Sequence, residues 1–338
     1  RRRVDHGVFG YAQAHEGLNE AVLGYLERRH QTKVELDHIV HLGGLVPALS
    51  LAARAFCKPG EALMTCTPVY PPFIHVHNDA AVRLITVDHI RKDGRWTFDW
   101  EAMEKAVTPD TRLFLLCNPQ NPLGLVYPRE EILRVADFCE RHNLILVSDE
   151  IHCDLILDPA ATHVSALQLP AATAARTITL LSPSKTWNIA GLGYAYAVIA
   201  DDSLRRRFTA ARGHTLAEIN ALSYYAAEAA YRDGEPWRQA LIAYLRQNRD
   251  TLVEFITQRC PGLSIVPGQA TYLAWIDARA LGHDDPALQF EKHAGLFLSE
   301  GRAFGWTGHF RFNFGCPRAR MLEGLEKIAA AIPAIAKG

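Results

Sequence analysis

The chain has 338 residues, of which 49% are hydrophobic and 22% charged, and its formal net charge is −1. This is an ordinary soluble-globular composition; it offers no field for nucleic acid or an anionic membrane, and no apolar run approaches the ~20 residues that span a bilayer. Seven cysteines, scattered without a C-x-x-C pair, argue against a disulfide framework or a zinc site and for reduced thiols in a cytoplasmic setting.

A chain of this length buries ~75% of its unfolded surface and usually divides into two domains. No signal peptide opens it. Arg1-Arg2-Arg3 is a short basic tip that reads as solvated. Leu18, Val22, Tyr25 and Leu26 recur at helical spacing, which predicts an amphipathic helix over residues 17–29. A strand over 38–42 leads through Gly43-Gly44 into a helix over 46–56, and Lys58-Pro59-Gly60 turns into a strand over 62–66. Alternation continues with strands at 82–87, 112–117, 144–147, 177–181 and 194–200, and helices at 100–107, 128–142 and 203–212. Nearly all-apolar strands alternating with helices indicate an α/β fold with a mostly parallel sheet covered on both faces. From about Leu216 the texture changes to a long helix over 236–259, strands at 263–266, 272–276 and 310–314, and a last helix over 318–332. The expected division is a large domain over 1–225 and a smaller α+β domain over 226–338. No internal repeat or low-complexity segment is found.

Chemistry concentrates after the strand 177–181, in Ser182-Pro183-Ser184-Lys185-Thr186. A lone lysine reads as a surface residue. At the end of a core strand, however, its ammonium is poorly solvated, which makes Lys185 a candidate nucleophile toward a carbonyl. Ser182 and Ser184 offer hydroxyls to an anion beside that amine, the combination pyridoxal phosphate requires. Gly43-Gly44-Leu45-Val46-Pro47 joins a strand to a helix, where the backbone N–H groups of Leu45 and Val46 can hold a phosphate. No G-x-G-x-x-G occurs, which removes the dinucleotide alternative. Arg311 stands between aromatics in Phe310-Arg311-Phe312-Asn313-Phe314, an expensive place for a guanidinium unless it meets an anion or a structural acid. His75-x-His77 would put two imidazoles on one strand face; with no third ligand evident, no metal is expected.

The run from Ser182 to Leu192 resembles the cofactor-lysine motif of fold-type I pyridoxal-phosphate enzymes, the aspartate aminotransferase superfamily. Within it the chain is most similar to the MalY/PatB-type cystathionine β-lyase (carbon–sulfur lyase) branch. The resemblance extends from Val8-Phe9-Gly10-Tyr11 to Gly315-Cys316-Pro317-Arg318. It implies a fold-type I architecture with pyridoxal 5′-phosphate bound through Lys185. Asp149, in Ser148-Asp149-Glu150-Ile151-His152, would pair with the pyridine nitrogen, the other reading being a carboxylate that caps the next segment; Glu150 reads as structural. His152 occupies a slot where many relatives carry a tyrosine, and would lie beside the cofactor or pack in the core. Asn121, in Asn118-Pro119-Gln120-Asn121-Pro122, would donate to the cofactor's 3-oxygen, with Asn118 as scaffold and a cis Asn121–Pro122 bond plausible. Tyr70 would stack on the pyridine ring or pack in the core, and Arg311, with Asn313 beside it, would grip the substrate α-carboxylate. Tyr11 matches a tyrosine that reaches the neighbouring subunit, which implies a homodimer.

Gly193 stands where many aminotransferases carry a phosphate-binding arginine. The chain also opens without a methionine and without the family's N-terminal arm, which implies a trimmed chain or an excised domain. The expected activity is β-elimination from cystathionine or another S-substituted cysteine, to a thiol, pyruvate and ammonia. The rivals are an aminotransferase and a non-catalytic or lyase module of a multidomain protein.

Overall fold

The computed structural model describes residues 2–213 and 216–336; Arg1 of the basic tip lies outside them. Eight strands build the large sheet: β1 Ile39–Leu42, β2 Ala62–Thr67, β3 Arg83–Lys92, β4 Arg95–Phe98, β5 Thr111–Cys117, β6 Ile145–Asp149, β7 Thr177–Leu181 and β8 Ala195–Val198. Their order is β1-β8-β7-β6-β5-β2-β3-β4. The pairs β2/β3, β2/β5, β5/β6 and β6/β7 are parallel, while β8 is antiparallel to both its neighbours and β4 to β3.

The alternation of side chains along β5 shows why the strands are apolar throughout. Leu113 and Leu115 face the helix Leu45–Phe56, packing in one cluster with Leu49, Ala52 and Phe56. Phe114 and Leu116 point the other way, into Ile132, Val135 and Phe138 of the helix Arg129–Arg141. With both faces covered, period-2 alternation between polar and apolar residues disappears from the sequence.

The winding reverses between β5 and β2: β2 leads to β3 on one side, and β5 leads to β6 and β7 on the other. Open α/β sheets bind ligands beyond the carboxyl ends of strands at such a reversal. Residues following β2, β5, β6 and β7 therefore converge on one place.

The smaller sheet is antiparallel, with β9 Ser264–Ile265, β10 Leu273–Asp277, β11 Ser299–Glu300 and β12 His309–Asn313 in the order β11-β12-β10-β9. Helices Glu235–Arg259, Pro286–Ala294 and Arg318–Ile335 pack on it, and their core includes Leu252, Phe290, Phe310, Leu325 and Ile328.

Two expectations need correction, the histidine pair and one short strand. His75 and His77 lie on the helix Pro71–Asp79, not on a strand. Pro71, at the helix start, suits the first turn, and two positions along a helix are ~200° apart, so the two imidazoles do not share a face. The expected strand over 263–266 shrinks to the two residues of β9. Residue 225 falls inside the helix Ala221–Asp233, whose Tyr224, Ala227 and Tyr231 pack with Leu18, Val22 and Tyr25 of the helix Glu16–His30. We propose Gly234 as the division instead. There the Trp187 indole Nε1 donates to the Gly234 carbonyl at 2.9 Å, and a Cβ on Gly234 would lie 2.3 Å from that nitrogen.

Candidate active site

Asp149 is the last residue of β6, in register with Cys117 of β5 and Leu180 of β7. The sheet thus delivers three loops to one point. β5 runs on to Asn121, β6 to Asp149 and His152, and β7 to Ser184 and Lys185. With Leu45, Val46, Tyr70, Arg311 and Asn313 they line a cavity of about 300 Å³. That is the lower end of the range for small-molecule sites. Ten of the twelve residues singled out in the sequence meet here; Ser182 and Tyr11 do not.

Ser182 stands just behind the cavity wall. Its hydroxyl donates to the Tyr194 carbonyl at 2.6 Å and accepts the Ser184 N–H at 3.1 Å. It braces the loop that presents Ser184 and Lys185, and it is not part of the lining. Tyr11 is fully exposed in an extended segment, away from this chain's cavity.

Leu45 and Val46 are the first two residues of the helix Leu45–Phe56, and Gly44 before them supplies no side-chain cap. Their N–H groups have no partner in the preceding turn, so they are available to an anion in the cavity. Gly193 has φ +63°, and a Cβ there would meet the Gly43 carbonyl oxygen at 3.1 Å. The backbone conformation disfavours any side chain at the place where an arginine was missed.

Burial dominates the electrostatics. Asp149 is buried, with Oδ1 accepting the Ile151 N–H at 3.1 Å. Burial pushes its carboxyl up to about 7, an effect that nearby Glu150 reinforces and Lys185 opposes. A buried carboxylate so short of compensation favours a cationic or protonated partner in the cavity. His152 is driven the other way, down to about 3, chiefly by burial and then by the Lys185 and Arg311 cations. Its imidazole is therefore neutral, and its Nδ1 is buried with no partner among the described residues. Packing alone does not explain that atom.

Arg311 sits on β12 opposite Ser299 of β11. One guanidinium nitrogen donates to Asn121 Oδ1 at 3.0 Å, another to Ser299 Oγ at 3.2 Å, and Nε is buried without a partner among the described residues. Both hydrogen-bond partners are neutral, which removes the structural-acid reading. Burial holds this guanidinium below the ordinary arginine range. Asn121 precedes a cis proline bond, and Asn118 is scaffold: its side-chain amide donates to the Val164 carbonyl at 3.0 Å.

Sequence reasoning missed Tyr272, Ile151 and Cys117 in the lining, and Ser299 behind Arg311. Tyr272 meets His152 edge-on at 6.0 Å between ring centroids. Only the pairing of β11 with β12 brings Ser299 there, and a two-residue strand leaves no periodic signal.

The aminotransferase class I and II family matches residues 4–328. The chain belongs to that family. The cystathionine β-lyase PatB of Bacillus subtilis is 36% identical over 338 residues, an alignment that covers 98% of this chain and 87% of the relative. Among solved structures, OvoB superposes with a TM-score of 0.95 at 42% identity, covering 98% of this chain and 87% of that one. Cystalysin from Treponema denticola, whose crystal structure contains pyridoxal 5′-phosphate, superposes at 0.93 with 33% identity over 98% of this chain and 86% of its own. The mostly parallel sheet with its helices is the fold-type I arrangement of this family.

The buried groups of this family member also set a pH dependence. His41, His89 and His152 have pKa values lowered by burial to about 4, 4 and 3, so all three stay neutral in the fold between pH 4 and 6.5 while the unfolded chain protonates them. Asp149, raised to about 7, binds one proton more in the fold than in the unfolded chain over the same window. The unfolded state therefore holds about two more protons from these groups, and stability falls with acidification by up to ~3 kcal/mol per pH unit. Urea midpoints of protein without added cofactor should drop steadily from pH 6.5 to 4. A midpoint constant over that range would contradict the buried neutral histidines.

Proposed function

We propose that this protein is a pyridoxal-phosphate-dependent carbon–sulfur β-lyase acting on cystathionine or another S-substituted cysteine. The observation that carries this reading is Arg311: a half-buried guanidinium with neutral partners, facing the same small cavity as Lys185 and Asp149. Such an arginine suits the α-carboxylate of an amino acid. The cavity also fits the cofactor. Uncapped N–H groups of Leu45 and Val46 suit its phosphate, the undercompensated Asp149 carboxylate suits a protonated ring nitrogen, and the unpartnered His152 Nδ1 and the Asn121 amide suit ring oxygen.

When bound, pyridoxal phosphate supplies the electron sink for a carbanion at the substrate α-carbon. Lys185 would hold it covalently and, as a free amine, would serve as the base for the α-proton. Asp149 would keep its ring nitrogen protonated. Tyr70 would pack against it. Arg311, steadied by Asn121 and Ser299, holds the carboxylate, with Asn313 beside it. The net reaction turns cystathionine and water into homocysteine, pyruvate and ammonia. Gly193 and His152 favour elimination over amino transfer, because relatives that transfer amino groups often carry an arginine and a tyrosine there.

A homodimer follows from the same reading. Val8, Phe9 and Tyr11 are large apolar side chains exposed on one short segment, fit to be covered by a second copy whose cavity Tyr11 would complete. A cytoplasmic location accords with seven free cysteines; among the described residues no helix is long and apolar enough to cross a membrane.

Product analysis tests the activity. Incubation with cystathionine should yield thiol, pyruvate and ammonia in equal amounts, whereas a keto acid that retains the carbon–sulfur bond would overturn the lyase reading. Arg311→Ala should raise KM ~100-fold, the loss of a charge-assisted bidentate contact worth ~3 kcal/mol. Unchanged KM would remove Arg311 from substrate binding.

A further inference from the structure

One cluster outside the cavity remains unexplained. His30 ends the helix Glu16–His30, Glu150 follows the strand end at Asp149, and His163 lies in the loop beyond it. One nitrogen of each imidazole and one Glu150 oxygen lie within 4.8 Å of one another. His30 is 3% exposed, and its Nε2 is buried with no hydrogen-bond partner among the described residues. His163 Nε2 is hydrogen-bonded to Glu150 Oε2 at 2.9 Å, and His163 Nδ1 is likewise buried without a partner among the described residues. We propose that His30, Glu150 and His163 form a site for a divalent transition-metal ion of the zinc class.

The surroundings have the character of such a site. Glu150 Oε1 accepts from Ser148 Oγ at 2.9 Å and from the Ala166 N–H at 2.7 Å. These two bonds fix the carboxylate and leave Oε2 to the imidazoles, as outer partners do for metal ligands. Arg29, the residue before His30, is paired with Asp154 at 2.7 Å. Two imidazoles and a carboxylate are a ligand set that zinc accepts, with the fourth position left to water. A surface cavity of about 810 Å³, lined in part by His30, Gln31, Cys153 and His163, supplies the entry path. The ion would tie the helix Glu16–His30 to the strand that carries Asp149, a structural role separate from turnover.

The inference stands apart from the lyase reading, and its test reads metal rather than activity. Holoenzyme freed of metal by a chelator, then freed of chelator, is titrated with zinc chloride by calorimetry and with cobalt(II) by visible absorption. Wild type should bind one equivalent of each, cobalt should give a four- or five-coordinate spectrum without sulfur charge transfer, and Tm should rise with zinc. His30→Gln and His163→Gln should each weaken zinc more than ~100-fold, beyond the ~10–100-fold cost of losing an outer partner, while His77→Gln should bind as wild type does. Retention of cofactor by His30→Gln separates this site from chelation at the cofactor. The proposal is overturned by absence of saturable zinc binding to wild type, by undiminished affinity in His30→Gln, or by a sulfur-to-cobalt band. The wild-type spectrum decides the matter even if a variant fails to fold.

Discussion

Lys185→Ala is expected to lower turnover by at least ~10⁴-fold, since the same amine serves as covalent anchor and as general base. Its environment explains the choice of residue. The amine faces a cavity whose other charged groups are Asp149 and Arg311, the groups proposed to tune the cofactor and to hold the substrate. Borohydride treatment of the wild type should attach the cofactor permanently to the peptide containing Lys185, and the variant should release it on denaturation. Because Lys185 is only half-buried and belongs to none of the apolar clusters, Tm should change little. A variant with lost activity and lost fold would point to a structural lysine; a variant with retained activity would end the catalytic account.

Asp149→Asn is expected to cost ~10³-fold in turnover while cofactor remains bound, which separates electronics from binding. An amide is close to the carboxylate in size and still accepts the Ile151 N–H, so the strand end stays in place. What it cannot do is hold a proton on a ring nitrogen by charge. Burial of Asp149 strengthens that interaction, because the same desolvation that raises its carboxyl to about 7 makes it depend on a cationic partner. The check is a single-turnover rate beside a cofactor titration. Tight binding with slow α-proton removal is the expected pattern, and an unchanged rate would reduce Asp149 to a cap of the turn after β6.

Much of this site could be read from the chain because sheet ends are local features. Lys185 follows the apolar run of β7 by four residues and Asp149 ends β6, so strand adjacency brings them together. The N–H groups of Leu45 and Val46 came the same way, from the start of a helix, whereas Asn121 and Tyr70 rested on the family resemblance. What escaped reading depends on contacts across elements. Ser299 reaches Arg311 through a two-residue strand, and Tyr272 reaches His152 from the smaller sheet. The Ser182 hydroxyl turns to Tyr194, a carbonyl delivered by the approach to β8. The β3–β4 hairpin was legible but passed over: Asp93 and Gly94 have φ +50° and +78°, the left-handed pair that an Asp-Gly turn favours. His30, Glu150 and His163 carry no spacing signature, since three separate elements supply them.

The central claim is that carbon–sulfur cleavage, and not amino transfer, follows removal of the α-proton. Lys185, Asp149 and Arg311 serve both reactions, so their variants cannot distinguish them. The measurement that does is the yield of pyruvate from cystathionine per enzyme active site with no keto acid added. β-Elimination needs no second substrate, so pyruvate and thiol should accumulate together, linearly, to many equivalents. If product stops at one equivalent and resumes only when a keto acid is supplied, the protein is an aminotransferase and the lyase account is wrong.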